Sequence, residues 1–153
     1  MLTIAVLRWL LKILFFRKLY LEKNRYDKRQ ESTVIEMLKS KIHRATVTDA
    51  NLNYEGSITI YSELMHAANI REYEKVSVVN IYNGERFETY VITGTDPGNA
   101  ICINGAAARL ACVGDKVIIM SYRMCAEKEV GGYRPAIVLV DGHNQIIQTG
   151  CKQ

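Results

Sequence analysis

The chain has 153 residues, of which 48% are hydrophobic, so it is long enough for one domain with a real core and too short for two. Its formal net charge is +4, and residues 1–36 carry the whole excess, with eight Lys or Arg against four Asp or Glu. Residues 37–153 hold twelve bases and twelve acids, so their charge gives no reason to expect a nucleic-acid partner.

The four cysteines form no CxxC pair, and no histidine lies near them at the spacing of a metal site. We therefore expect no metal centre, and we expect reduced, partly buried thiols. The apolar N-terminal run lacks a small-residue cleavage site, which favours a cytoplasmic protein over a secreted one. The cysteines are Cys102, Cys112, Cys125 and Cys151.

Residues 1–36 form a basic and apolar extension. Arg8 and Lys12 interrupt its apolar run, which therefore falls short of the roughly 18 uncharged residues of a membrane-spanning helix. The remaining apolar residues recur at helical spacing, a pattern typical of a helix lying in a membrane interface. Alternatively, the extension is an upstream stretch of the reading frame and the protein starts at Met37. We favour this second interpretation, and membrane contact follows only if residues 1–36 are translated.

From residue 37 onward, short strands dominate the predicted elements. The segment KIHRATVTDANL is rich in β-branched residues and predicts a first strand that ends near Thr48, with a turn at residues 49–51. A second strand is predicted at residues 58–60. Residues 61–70 predict one or two helical turns, whose inward-facing residues would be Leu64, Met65 and Ala68.

A hairpin is the clearest pattern in the second half of the chain. Residues 76–82 and 86–93 alternate like strands, and Asn83-Gly84 between them suits a type I′ turn with positive φ at both central residues. Further strands are predicted within residues 99–105, 116–122 and 136–141. Many short strands with one or two short helices favour a closed or nearly closed β-barrel.

Two segments offer candidate chemistry. Gly56-Ser57 places a hydroxyl directly after a glycine at a loop-to-strand junction, where glycine permits backbone shapes that other residues resist. Most Gly-Ser pairs are only turns, and the absence of a GxSxG motif argues against a serine hydrolase. The second segment, NGAAAR at 104–109, could bind an anion through its backbone N–H groups or could simply pack closely.

Four sequence blocks, taken together, point to a function more specifically than either of these segments. KIHRATVTDANLNYEGSITI, NGERFETYVI, NGAAAR and VGDKVIIMSY occur in this order, and together they resemble the pyruvoyl-dependent aspartate 1-decarboxylase family. The resemblance runs from about Met37 to about Gly150 and leaves the extension outside. The chain departs from the family pattern at Tyr61 and Val79, which are not reacting groups.

The resemblance implies a mainly β fold, a small closed six-stranded double-psi β-barrel with short helices. It further implies a homotetramer with sites near the subunit boundaries. The chain would cleave itself between Gly56 and Ser57, and the parts 37–56 and 57–153 would stay together. Ser57 would become a covalent pyruvoyl group, and a separate maturation factor would be a further partner.

The resemblance also assigns roles in the decarboxylation of L-aspartate to β-alanine and CO2, a step of pantothenate biosynthesis. The pyruvoyl group from Ser57 would form a Schiff base with the substrate amine, and Tyr90 would donate a proton. Cleavage would involve Gly56, Ser57, Thr89 and Asn104. The expected substrate-binding residues are Lys41, Arg86, Thr89, Gly105, Ala106 and Ala107.

Two other interpretations stay open at this stage. The chain could be a non-catalytic small β-barrel that binds a partner or a membrane through its basic N-terminus. It could also be an amide hydrolase that uses Ser57 directly. Observation of the chain's cleavage state would separate the three.

Overall fold

A computed structural model describes residue 9 and residues 11–23 and 33–150. Residues 11–23 form a helix, α1, and a six-residue helix, α2, spans Ser62–Ala67. Nine strands make up most of the rest: β1 Val34–Thr46, β2 Asp49–Asn51, β3 Ser57–Tyr61, β4 Lys75–Asn80, β5 Arg86–Gly94, β6 Ile101–Asn104, β7 Lys116–Ala126, β8 Ala136–Val140 and β9 Ile146–Thr149. Three short 3₁₀ turns complete the set, at Pro97–Asn99, Gly105–Arg109 and Glu127–Glu129.

The chain divides into two compact units. One comprises Glu36–Arg123 together with residues 134–150, and it contains the candidate site. The other comprises the described residues up to Ile35 together with Met124–Tyr133. The expected boundary at 36/37 lies inside β1, which begins at Val34.

The strands form one sheet in the order β2-β6-β3-β5-β4-β7-β1-β8-β9. Isoleucines and valines at alternate positions face the core, because successive side chains of a strand point to opposite faces. Each fully buried side chain of this size stabilises the fold by about 1.5–3 kcal/mol. The fully buried members include Ile42, Ile58, Ile60, Val76, Val78, Val91, Ile101, Ile103 and Ile119.

The predicted mainly β class is confirmed, but the closed six-stranded barrel is not. The described residues form nine strands, and the sheet does not close, since β2 and β9 stand at its two ends. All four residues of β9 are exposed, so this strand adds no buried side chains that would draw the sheet closed.

The turn predicted at residues 49–51 is wrong. These residues form β2, which runs parallel to β6 and pairs Asp49 with Cys102 and Asn51 with Asn104. Asp and Asn have low intrinsic strand propensity, which pairing with a buried neighbouring strand overrides here. The turn follows immediately, where the side chain of Asn51 accepts a hydrogen bond from the Asn53 N–H at 3.0 Å.

The predicted hairpin is confirmed, with a different turn. β4 and β5 pair antiparallel, but the connection is a five-residue loop, 81–85. Only Gly84 of the Asn83-Gly84 pair has positive φ, at +77°, so the turn is not type I′. The Asn83 side chain instead accepts a hydrogen bond from the Glu85 N–H at 2.9 Å, which stabilises the wider loop.

The helical turn predicted after the second strand is α2, and it buries Leu64 and Met65 as expected. Within the described residues, no helix is both long and apolar enough to span a bilayer.

Candidate active site

The Gly56–Ser57 bond lies where an exposed loop enters the core. Residues 51–56 are exposed, whereas Ser57, the first residue of β3, is fully buried. The Ser57 hydroxyl donates to the Glu55 carbonyl over a long distance of 3.4 Å. A hydroxyl is therefore held inside the protein next to a peptide bond that solvent can reach.

Asn104 holds this hydroxyl from the neighbouring strand. β6 pairs antiparallel with β3 and sets Asn104 opposite Ser57, so their side chains share a face. The buried Asn104 amide Nδ2 donates to Ser57 Oγ at 2.9 Å and to Thr59 Oγ1 at 3.0 Å. The structure thus brings Asn104 into contact with Ser57.

Cys102 lies on the other side of the Asn104 amide. Its single S–H proton has two acceptors within reach, Asn104 Oδ1 at 3.1 Å from Sγ and Asp49 Oδ2 at 3.6 Å, and the shorter contact is the one to Asn104. Burial first, and then the Asp49 carboxylate, raise the pKa of Cys102 to about 11. The thiol is therefore protonated at neutral pH and available as a donor.

Gly105 packs against the cleavage loop. It follows Asn104 with φ +64°, and a Cβ there would come within 2.8 Å of Gly56 Cα and 2.9 Å of the Tyr54 carbonyl oxygen. By contrast, a Cβ at Gly56 would meet nothing within 4 Å, and its φ lies outside the left-handed region. The sequence suggested that residue 56 must be glycine. The structure instead requires glycine at residue 105, because both the close contact with Gly56 and the positive φ exclude a side chain there.

β5 brings Tyr90 beside Ser57. It runs parallel to β3 with Ile58 opposite Val91, so the preceding residues, Ser57 and Tyr90, stand side by side on one face. Tyr90 is 37% exposed, which leaves part of its side chain open to a small molecule.

Arg86 and Thr89 occupy different positions on the same strand. Arg86 shares the face of Tyr90 but lies four residues earlier, about 13 Å along the strand, so it can serve only the far end of a substrate. Thr89 points to the opposite face with the buried Val91, and it pairs with the buried Val76. The structure does not bring Thr89 onto the face of Ser57.

Lys41 stands furthest from the rest of the predicted set. It lies on β1, and β5, β4 and β7 separate this strand from β3 in the sheet. On the same strand, Lys39 pairs with Glu74 at 2.5 Å, but neither ion pair found in the described residues involves Lys41 or Arg86. In the sheet order, Lys41 is therefore not on a strand next to that of Ser57.

The small-residue run continues as a 3₁₀ turn. After Gly105, Ala106 is exposed and Ala107 packs against the core. The Ala107 carbonyl accepts a hydrogen bond from the Leu110 N–H at 2.9 Å, and the turn begins at Gly105, which lies against the cleavage loop. The run thus packs closely and also leaves N–H donors near the site.

Three polar residues of this site escaped the sequence reasoning: Cys102, Thr59 and Asp49. Cys102 and Asn104 are two residues apart on β6 and share a face, as do Ser57 and Thr59 on β3. The period-two spacing was visible in the sequence. The pairing of β6 with both β2 and β3 was not visible, and this pairing decides which faces meet.

The surroundings of residue 57 fit the pyruvoyl group that the resemblance implies. That group is no larger than serine, so the buried position that holds Ser57 accommodates it. Asn104 Nδ2 lies within hydrogen-bond distance of the side-chain oxygen of residue 57 and of Thr59 Oγ1. In the described ranges, no group of three or more His, Cys, Asp or Glu could hold a metal ion.

Comparisons with known proteins show which chains this one is similar to. The family model described as aspartate decarboxylase matches residues 33–147. The aspartate 1-decarboxylase of Caldicellulosiruptor bescii is 62% identical over 119 residues, which cover 78% of this chain and 93% of the relative. That of Caldicellulosiruptor saccharolyticus is 62% identical over 120 residues, which cover 78% and 94%. The computationally designed msDPBB_sym2 protein shares 18% identity with a TM-score of 0.39, over 57% of this chain and 99% of that one.

Proposed function

The chain belongs to the aspartate decarboxylase family and is a carboxy-lyase acting on L-aspartate in pantothenate biosynthesis; on that premise we propose that it first cleaves itself between Gly56 and Ser57. The hydrogen bond from Asn104 to the buried Ser57 hydroxyl is the observation that carries this proposal. The parts 37–56 and 57–153 then stay associated, because strands on both sides of the cleavage point belong to one sheet.

Cleavage begins when Ser57 Oγ attacks the Gly56 carbonyl carbon. The Gly56–Ser57 C–N bond breaks and an ester forms through Oγ, with the hydroxyl proton ending on the Ser57 nitrogen. In the elimination that follows, Ser57 loses its α-proton and Oγ departs as part of the Gly56 carboxylate. Water then replaces the nitrogen, ammonia leaves, and a pyruvoyl group remains.

The position of Asn104 suits the elimination. Its Nδ2 donates to the oxygen that gains negative charge as the Gly56 carboxylate departs, and a preorganised donor in a buried site stabilises such charge. Gly105 lies against Gly56 and keeps the loop close to this amide.

Once formed, the pyruvoyl group supplies an electron-accepting carbonyl for the loss of the α-carboxylate. Tyr90, beside residue 57 on the same face, then donates a proton to the carbon that loses CO2. Arg86, further along this face, binds a substrate carboxylate through its planar fork. The N–H groups at Gly105, Ala106 and Ala107 bind the remaining carboxylate.

Neither Lys41 nor Thr89 lies beside Ser57 on the same face of the sheet. We propose that Lys41 reaches the site from a neighbouring subunit of a homotetramer, which is consistent with its separation from β3 within one chain. The roles of Thr89 in cleavage and substrate binding stay predictions, as do the double-psi connectivity and the maturation factor.

The activity is tested by incubating the protein with L-aspartate or L-glutamate and detecting products by NMR. We expect β-alanine and CO2 from aspartate. The absence of β-alanine from fully cleaved protein would contradict the proposal.

Replacing Tyr90 with phenylalanine should leave cleavage intact and lower kcat by about 10²–10⁴, because only the proton donor is lost. Intact mass measures cleavage, and the NMR assay measures turnover. Tyr122→Phe is the matched control, since Tyr122 is 43% exposed and lies on β7. Full turnover by Tyr90→Phe would show that Tyr90 has another role.

Replacing Arg86 with lysine should raise the KM for aspartate about tenfold, because a point charge replaces a fork that binds two oxygens. Steady-state kinetics measure this change. Arg71→Lys changes an exposed arginine outside the site and should leave KM unchanged. An unaltered KM in Arg86→Lys would exclude carboxylate binding at this position.

A second role, membrane binding, concerns α1. Residues 9 and 11–23 expose a set of aliphatic and aromatic side chains and carry four bases against one acid, Glu22. Where this segment is translated, we propose that α1 lies on an anionic membrane surface. The exposed set is Trp9, Leu11, Ile13, Leu14, Phe15, Phe16, Leu19, Tyr20 and Leu21.

Co-sedimentation with lipid vesicles tests this role. The chain beginning at Met1 should bind phosphatidylserine vesicles, should bind phosphatidylcholine vesicles weakly, and should be released by salt. The chain beginning at Met37 is the control. Equal binding of the two chains would contradict a role for α1.

A further inference from the structure

The side-chain amide of Asn104 has two ends with different chemistry, and its orientation decides what Ser57 meets. In the structure Nδ2 faces Ser57 Oγ and Thr59 Oγ1, whereas Oδ1 faces the Cys102 thiol. Each end has a partner suited to it, because Nδ2 carries two N–H donors and Oδ1 accepts.

The inverted orientation is also compatible with the two hydroxyls alone. Ser57 and Thr59 can each donate as well as accept, so they would tolerate Oδ1 in place of Nδ2 once Ser57 turns its proton from the Glu55 carbonyl, a long contact of 3.4 Å. The thiol discriminates between the orientations, because a protonated thiol donates while its sulfur is a weak acceptor. Among the described contacts of the Asn104 side chain, Cys102 alone has this one-sided preference.

Cys102 is well placed to enforce the choice. It is 6% exposed, and it precedes Asn104 by two residues on the same face of β6. Asp49 Oδ2 competes for the thiol proton at 3.6 Å from the sulfur, but Asn104 Oδ1 is closer, at 3.1 Å. The pKa of the thiol, raised to about 11, keeps the proton on sulfur at neutral pH.

We propose that Cys102 is a positioning residue for self-cleavage: its S–H donates to Asn104 Oδ1 and so directs Nδ2 at Ser57 Oγ. This inference rests on the proposed function, in which the Asn104 donor stabilises the departing Gly56 carboxylate. Without the thiol proton, the amide inverts for part of the time and presents an acceptor to the oxygen that must carry negative charge.

Variants at Cys102 separate the donor from the volume of the side chain. Cys102→Val keeps a buried apolar group without a donor and should slow cleavage about fivefold to tenfold, the value of one hydrogen bond. Cys102→Ser restores a donor and should cleave within about twofold of the unaltered chain. Cys125→Val removes a second buried thiol, on β7, and should not affect the rate.

Cleavage is followed by intact mass over time after purification of the precursor. Equal rates for Cys102→Val and the unaltered chain would overturn the inference, as would a slow Cys102→Ser, which would indicate a packing role. An unaltered chain that never cleaves would refute the proposed function instead.

The S–H stretching band in Raman spectra tests the hydrogen bond independently of cleavage. The Cys102 band is identified as the one that is lost in Cys102→Val. In the uncleaved precursor it should lie at lower wavenumber than the Cys125 band. Asn104→Ala should shift it upward. A Cys102 band that does not respond to Asn104→Ala would overturn the inference, whether or not the chain cleaves.

Discussion

Replacement of Ser57 by alanine is expected to leave one uncleaved chain without decarboxylase activity. The substitution removes the oxygen that attacks the Gly56 carbonyl, so neither the ester nor the pyruvoyl group forms. Cleaved chain is expected to fall below detection in intact mass spectra, and β-alanine formation to fall to the uncatalysed rate. Cleavage of this variant at 56/57 would contradict the account.

Ser40→Ala provides the matched control. Ser40 is also a fully buried serine on a strand, and its hydroxyl donates to the Asn69 carbonyl at 3.4 Å. The loss of one such hydrogen bond costs about 1 kcal/mol, and cleavage should proceed normally. The comparison separates the loss of a buried hydroxyl from the loss of the reacting one.

Replacement of Gly105 by alanine should reduce the cleavage rate by more than about tenfold, a loss of about 1.4 kcal/mol or more. The new Cβ would lie 2.8 Å from Gly56 Cα, and backbone atoms cannot move aside as the end of a flexible side chain can. The cleavage loop must shift away from Asn104. Intact mass over time measures the rate, and thermal unfolding measures stability.

Gly84→Ala isolates the steric contribution. Gly84 has a similar φ of +77°, but a Cβ there would meet nothing within 4 Å. In both variants a side chain at positive φ costs about 1 kcal/mol. Only in Gly105→Ala does the new Cβ also contact the cleavage loop. Equal cleavage rates in the two would show that the contact with Gly56 is unimportant.

The local patterns of the sequence predicted much of the fold. Alternation and β-branched residues located the hairpin of β4 and β5, and the loop-to-strand junction at Ser57 follows from the change from polar residues to Ile-Thr-Ile. The turn at 49–51 was mispredicted because strand pairing with β6 overrides the preference of Asp and Asn. The described residues form nine strands in a sheet that is not closed, so the expected closed barrel of six strands is not confirmed.

The sequence predicted which residues belong to the site, but it did not predict how they are arranged in space. The resemblance named Ser57 and Asn104 together, and the register of β3 with β6 places them in contact. The register of β3 with β5 also shows what no pattern in the sequence gives, that Thr89 faces away from Ser57. Register depends on contacts between distant segments, so it cannot be derived from local periodicity.

Intact mass of the purified full-length protein tests the central claim most directly. The account predicts two fragments that divide between residues 56 and 57, the second with a ketone in place of its N-terminal serine. The first fragment also shows whether the chain starts at Met1 or Met37. A single chain that keeps an unmodified Ser57 after prolonged warming would contradict the account.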